Sequence, residues 1–359
     1  MHFLTINNLV NLSFKKLKNW EYWPSYMFYV PILPYACYLV LKARSFGFFS
    51  AVNPSIEGSG NGLESKYKTV QLIPEKYKPT TLFIEKGSKI SHVLPQLKTN
   101  NINFPLIIKP DIGFRGLLVK KINSENELTE YINKYNSINL IIQELIEYKN
   151  ECGVFYHRIP GEKKGKITSI TLKKYLTVIG DGSSSVLKLI KNDARAKMYI
   201  DLISEINYGK LQNVPLKNEE VILNIIGNHS KGTQFTNGNH LITKELTSFF
   251  DDLNKQIKGW YYGRVDIKYT NFEELIKGKN FKIIEINGII SEPTHIYDAS
   301  KGSYFKALKA IKNHWELTYK IGVKNNKLNN THFTNLNYLV RLYFNYKKYL
   351  KKVSDLSAN

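Results

Sequence analysis

The chain is short of cysteine, of acid and of the common nucleotide and nucleic-acid signatures. Two cysteines in 359 residues, Cys37 and Cys152, can build neither a disulfide scaffold nor a zinc array, so a reducing compartment is the simpler expectation. The first twenty residues lack an uninterrupted apolar run and a small-residue cleavage site, so no signal peptide is expected and the location is read as cytoplasmic. There is no GxGxxG, no GxxxxGK followed by Ser or Thr, no zinc-knuckle spacing, no basic-zipper heptad run and no RNA-recognition aromatic signature. No internal repeat appears. Acid is scarce: 51 Lys+Arg against 30 Asp+Glu leave a formal charge of +21 and a pI near 9.6. Such a balance favours an anionic partner, whether nucleotide, nucleic acid or acidic membrane surface.

The excess is concentrated. Residues 301–359 carry 12 Lys+Arg and 2 Asp+Glu, a net +10, whereas residues 1–75 carry 7 and 4, a net +3. The basic end reads first as a solvated face, second as a membrane-surface contact and third as a nucleic-acid patch, the last disfavoured by the missing modules. Near the other end, Tyr26 to Leu41 (YMFYVPILPYACYLVL) contains no charge and is bracketed by Lys15, Lys16, Lys18, Lys42 and Arg44. It is short of the roughly 20 residues of a spanning helix, and Pro31 and Pro34 interrupt it. Two readings stay open: an interfacial or re-entrant element at the inner face of a membrane, and a helix–turn–helix of the soluble core.

From Lys78 the texture becomes mixed strand and helix. Strands are expected over 103–109, 140–145, 152–158, 166–179 (two strands), 263–269 and 281–287. Helices are expected over 123–135, opened by a Ser124/Glu127 capping box, over 243–258 and over 301–315. Asn335 to Lys352 alternates aromatic and basic residues at helical spacing. Asn53 to Gly62 is a loop on Pro and Gly grounds. The fold class is α+β with antiparallel hairpins. Three regions follow: an N-terminal region 1–77 holding the apolar element 26–41, a central domain 78–325 (first lobe 78–145, second lobe 146–325) and a basic amphipathic helix within 326–359.

Chemistry concentrates in four segments. In Arg264-Val265-Asp266 and Glu285-Ile286-Asn287, period two puts the polar residues of each triplet on one strand face. If the strands are neighbours, the oxygens of Asp266, Glu285 and Asn287 converge as a hard ligand set for Mg²⁺ shared with phosphates, with Arg264 beside them as a fixed cation. In FPLIIKPDIGFRG, Lys109 ends an apolar strand, and Gly113, Arg115 and Gly116 form a turn able to present N–H groups and a guanidinium to phosphates. In IIQELIEYKNE, a strand leads to Gln143, Glu144 and Leu145, with Glu151 beyond; backbone groups there can meet an adenine edge and a carboxylate the ribose hydroxyls.

In this order the segments FPLIIKP, IIQELIEYKNE, GRVDIKY and IIEINGIISEP resemble the ATP-grasp superfamily over Leu82 to Trp315, about two thirds of the chain. The Arg-x-Asp strand followed by Glu-Ile-Asn is similar to the metal-binding end of D-alanine–D-alanine ligase and its relatives. VIGDGSSSVLKLI is similar to a segment of cyanophycin synthetase and bifunctional glutathione synthetases. The resemblance implies two α+β lobes whose antiparallel sheets hold ATP between them, and a carboxylate–amine ligase working through an acyl phosphate. It implies ATP phosphates on Lys109 and on Lys86 as a second nucleotide lysine, and adenosine lined by Gln143, Glu144, Leu145 and Glu151. It also implies Mg²⁺ (two ions, Mn²⁺ as the alternative) on Asp266, Glu285 and Asn287, and transition-state charge on Arg264. The implied partners are a small-molecule or lipid-linked carboxylate and an amine acceptor. An ATP-grasp kinase and a non-catalytic nucleotide-binding scaffold are the rivals.

Four further residues are substrate candidates: His229 and Lys231 in the polar loop Gly227–Gly238, and Glu292 and His295 directly after the metal strand. His157 and Arg158 read as structural and Cys152 as a small core residue. Of Lys173 and Lys174 one points inward, and strand period alone does not say which.

Overall fold

The computed structural model describes residues 19–113 and 116–358. Phe114 and Arg115, and with Arg115 the expected guanidinium of the phosphate turn, lie outside the described residues.

The first lobe is a four-stranded antiparallel sheet of β1 (Thr81–Ile84), β2 (Leu106–Pro110), β3 (Lys120–Ile122) and β4 (Leu140–Glu144), in the order β1-β4-β2-β3. Leu106, Ile108, Ile122 and Ile142 are fully buried against Leu128 and Ile132 of the helix Glu125–Tyr135. That helix begins as its sequence requires: the Ser124 hydroxyl accepts from the Glu127 N–H (3.3 Å), and the Glu127 carboxylate reaches back to the Asn123 N–H (3.0 Å). With Leu106 and Ile108 turned to this core, period two turns Ile107 and Lys109 the other way, onto a cleft.

The second lobe carries β5 (Asn150–His157), β6 (Lys166–Lys174), β9 (Gln234–Asn237), β10 (Tyr262–Tyr269) and β11 (Phe281–Asn287), antiparallel in the order β11-β10-β5-β6-β9. Val154, Tyr156, Val265, Ile267 and Ile283 bury one face against Phe250 of the helix Lys244–Gln256 and against Trp260. A smaller two-stranded sheet, β7 (Leu176–Ile179) with β8 (Glu220–Asn224), has its own core with the helix Val186–Asn192. The expected α+β class and two lobes of antiparallel sheet are present.

β11 is an edge strand, which its isoleucine-rich sequence did not suggest. The edge is covered by the helix Lys66–Gln71, which packs along it. Asn53–Gly62, expected only as a loop, seals the adjoining corner. The buried Asn53 side chain accepts from the N–H groups of Tyr261 (2.9 Å) and Tyr262 (3.0 Å) and donates to the carbonyls of Tyr262 (2.8 Å) and Ser59 (3.1 Å). Ile289 and Ile290 donate in turn to Ser59 and Gly60, so the chain leaving β11 is pinned as well.

The apolar N-terminal stretch forms the short helices Ser25–Tyr29 and Leu33–Ala43 joined by a 3₁₀ turn holding Pro31. It is only partly buried. Phe28, Ile32 and Leu39 are buried, the first two packing with Ile296 and with Ala307 and Ile311 of the 26-residue helix Tyr304–Asn329, while most of the remaining side chains stay exposed. The basic end forms the helix Leu336–Ala358, which lies against the first lobe: Tyr349 Oη donates to the Ile112 carbonyl (2.6 Å), Lys352 Nζ to the Ser137 carbonyl (2.7 Å), and Leu356 packs on the lobe's core.

Removing the Asn53 side chain takes its partner from the Tyr261 and Tyr262 N–H groups and the Tyr262 carbonyl in a buried place, while the Ser59 carbonyl keeps the Ile289 N–H. Asn53→Ala is expected to cost about 2–4 kcal/mol, read as a lowered urea midpoint at unchanged m-value.

Candidate active site

A cleft of about 1780 Å³ separates the two sheets. Its second-lobe floor is built by strand parity. Arg264, Asp266 and Lys268 alternate with the core residues Val265 and Ile267, and Asp266 lies opposite Glu285, and Arg264 opposite Asn287. Between the Asp266/Glu285 and Ile267/Ile283 pairs the register slips, leaving Ile284 as an extra residue in β11. This bulge lets Ile283 face the core while Glu285 and Asn287, of the same parity, face the cleft.

The buried Asp266 organises the floor. Its Oδ1 accepts from Arg264 Nε (3.0 Å) and lies 3.1 Å from Lys173 Nζ; its Oδ2 accepts from Arg264 Nη2 (3.2 Å) and Asn287 Nδ2 (3.1 Å). Burial opposes its ionisation, but the Arg264 and Lys173 charges prevail and hold the carboxyl well below the usual carboxylate range. Gly153, the residue of β5 opposite Asp266, leaves room for this pair: a Cβ there would stand 2.8 Å from Arg264 Cδ and 3.2 Å from Asp266 Oδ1. Lys173 is therefore the inward lysine, and Lys174 is exposed.

Lys173 also pairs with Glu151 (2.7 Å), whose second oxygen accepts from Tyr175 Oη (2.6 Å). Both carboxylate oxygens of Glu151 are thus engaged in the floor, where Glu151 also lines the cleft. Glu285 pairs with Lys66. Burial opposes the ionised form of Glu285, yet Lys66 and then Lys109 keep it below its usual value. Lys66 comes from the N-terminal region and is set by Asp111: Asp111 Oδ1 accepts from the Ser65 hydroxyl and the Tyr67 N–H (both 2.9 Å), and its carbonyl from the Lys66 N–H (3.0 Å).

Across the cleft, Lys109 projects from β2 and has no hydrogen bond or ion pair among the described residues. Burial presses its ammonium down to about 8, with Glu285 offsetting part of the effect. Gln143, Glu144 and Leu145 line the same wall. Gln143 Nε2 donates to Thr81 Oγ1 (3.0 Å), and Glu144 Oε1 accepts from the Thr80 N–H (3.0 Å), so both side chains are partly held within the lobe. Lys86 is placed elsewhere: it is exposed on the loop after β1, tied by its N–H to Asn139 Oδ1 (3.0 Å), and does not line the cleft. The second lysine facing the carboxylates is Lys66.

The substrate candidates divide. His229 lines the cleft with its Nε2 on Glu21, which also pairs with Arg195 (3.1 Å). Lys231 lines it nearby. Glu292 lies in a side chamber of about 200 Å³, its carboxyl accepting from Tyr29 Oη and Tyr297 Oη (2.6 Å) and pushed up by burial. His295 is outside the cleft: its Nδ1 is 2.7 Å from the Ser169 hydroxyl, and burial lowers the ring to about 4. His157 is likewise lowered to about 4 by burial and then by Lys166.

The residues expected to hold metal are on adjacent strands, but both Asp266 oxygens are engaged by Arg264, Lys173 and the Asn287 amide N–H, and one Glu285 oxygen by Lys66. Among the described residues no group of three His, Cys, Asp or Glu side chains is arranged to hold a metal ion. Two carboxylates and an amide oxygen still fit Mg²⁺, which is commonly held by one or two carboxylates with the remaining positions taken by phosphate and water.

No family model matches the sequence, and no curated protein matches it. Among solved structures, the chain is similar to a bifunctional glutathione synthetase from Pasteurella multocida (14% identity, TM-score 0.39, 73% of this chain and 38% of that one). It is similar to a D-Ala:D-Ser ligase from Enterococcus faecalis (14%, 0.41, 75% and 64%) and to a D-alanine–D-alanine ligase from Bacillus anthracis (13%, 0.40, 76% and 71%). The chain thus spans less than two thirds of the first two structures.

Proposed function

We propose that the protein is an ATP-grasp ligase that joins a carboxylate to an amine. The observation that carries this reading is Lys109 on the first-lobe sheet, without a hydrogen bond or ion pair among the described residues, facing a floor where Arg264 and Lys173 converge on Asp266 and Lys66 on Glu285. A cleft with cations on both walls and the paired Asp266 and Glu285 on its floor suits a polyphosphate brought in with a divalent cation. A simple anion site would not need Asp266 and Glu285.

In the proposed reaction a substrate carboxylate oxygen attacks the γ-phosphorus of ATP, ADP leaves, and an acyl phosphate forms. The amine then attacks the acyl carbon, inorganic phosphate leaves, and the amine loses a proton. Lys109 holds phosphate oxygens from the first lobe, and Lys66 exchanges Glu285 for phosphate as nucleotide enters. Arg264, aligned by two hydrogen bonds to Asp266, stands as the fixed cation for charge developing on the transferred group. Asp266, Glu285 and the Asn287 amide would hold Mg²⁺, which neutralises and aligns phosphate oxygens when bound. Glu292 and His229 line the part of the cleft left for carboxylate and acceptor.

The deciding experiment is release of ADP and phosphate from Mg-ATP over pools of carboxylates and amines, with hydroxylamine as trap. Release dependent on one carboxylate pool, with hydroxamate formed, is the expected result. Phosphorylated product without amine consumption would give the site to a kinase. Glu285→Gln should lower that turnover at least about 100-fold while circular dichroism stays that of the parent; parent-like turnover would remove Glu285 from the site.

Lys109 predicts a pH dependence of known sign. Free Lys109 loses its proton near pH 8, and phosphate oxygens beside it favour the ammonium, so its pKa rises in the complex. Affinity for Mg-ATP should be level from pH 7 to just below 8 and then fall by up to about tenfold per unit. Lys109→Arg should abolish that fall, and Lys109→Met should bind weakly at every pH, both read by calorimetric titration.

A further inference from the structure

We propose that the outer face of the N-terminal helix pair and the adjoining face of Tyr304–Asn329 form a docking surface for an anionic lipid bilayer. The inner side of the pair is sealed on the body by Phe28, Ile32 and Leu39. Its outer side presents Tyr26 (71% exposed), Val30 (55%), Leu33 (49%) and Leu41 (76%), with Met27, Tyr38 and Phe46 also exposed. Of the 18-residue apolar window Tyr26–Ala43 only 17% is buried. A soluble monomer gains nothing from so much contiguous exposed apolar surface.

The neighbouring helix supplies the charge. Residues 304–329 carry six lysines (306, 309, 312, 320, 324 and 327) and one acid, Glu316. Glu316 is already shared by Lys42 (3.7 Å), Lys320 (3.6 Å) and the Tyr35 hydroxyl, and Lys312 lies 4.8 Å from the Tyr35 ring centroid. The aliphatic ridge and the lysine row are therefore directly joined. Exposed Phe305 lies on the lysine helix itself.

Charge selects the occupant. A second copy would bring the same lysine row against itself on a chain of +21, whereas an anionic headgroup layer neutralises it and the acyl boundary takes up the ridge. At 18 residues, broken by Pro31 and fastened along one side, the pair lies in the interface rather than crossing it. The surface is independent of the reaction proposed for the cleft and stands if that reaction is wrong.

The test is co-sedimentation of the full chain with vesicles of phosphatidylcholine alone and of phosphatidylcholine with an equal part of phosphatidylglycerol. Binding is expected to the mixed vesicles and to weaken as salt is raised. The double variant V30E/L41E, altered only at exposed outer positions, should lose at least about tenfold in vesicle affinity with its melting temperature kept. K309E/K324E should lose a similar factor on mixed vesicles alone. Failure of the parent to bind mixed vesicles, or parent-like binding by V30E/L41E, overturns the proposal. So does a concentration-dependent dimer in sedimentation velocity that V30E/L41E dissociates, which would assign the face to a second copy.

Discussion

A carboxylate buried on a β-strand needs compensating charge, and the second lobe is arranged around giving Asp266 that charge. Removed from water without Arg264 and Lys173, it would be protonated or its neighbourhood would open. Supplying the two cations sets conditions far along the chain. Residue 153 has to be glycine-sized to admit the Arg264 stem. Lys173 has to be long enough to reach two acids, and Glu151 has to stand beside it with Tyr175 closing its other oxygen. Gly227 packs so closely on that carboxylate that a Cβ would fall 2.3 Å from Glu151 Oε1. Four strands and a loop are thus tied to one ionised group.

The same electrostatics divides the cleft into a settled wall and an unsettled one. On the floor nearly every charge has an ion-pair partner, whereas Lys109 opposite has no hydrogen bond or ion pair among the described residues and burial presses its ammonium down. Buried ion pairs contribute little net stability but fix geometry. An unpaired buried ammonium is a standing electrostatic cost that an incoming anion removes.

Much of this was legible in the sequence, and the failures have physical causes. Strand parity put Arg264 with Asp266 and Glu285 with Asn287, and the apolar strand before Lys109 placed that lysine, because period two is local. The Ile284 bulge was not legible, since it depends on which residue of the partner strand is opposite. Lys173 and Lys174 could not be separated for the same reason: register with β5 decides. Lys66 was missed because its partner is 219 residues away and its helix is set by Asp111, neither of which leaves a pattern around residue 66. The sequence could not show that Lys86 falls in the turn after β1, which is tied to Asn139 and does not line the cleft. The apolar stretch at 26–41 posed a choice between membrane and core, and the fold uses its two faces differently.

The C-terminal helix links the lobes mechanically. It follows Tyr304–Asn329, which is fastened to the second lobe's side of the molecule through Asn325 and the carbonyls of Ala51 and Val52, and it runs to the first lobe at Ile112 and Ser137. Twenty-three residues make a rod about 35 Å long. A stiff strut anchored at its far end leaves the first lobe few directions of swing. Any lifting of the first lobe away from this helix has to break the Tyr349 and Lys352 hydrogen bonds, so the grip of one helix sets a cost on opening the cleft.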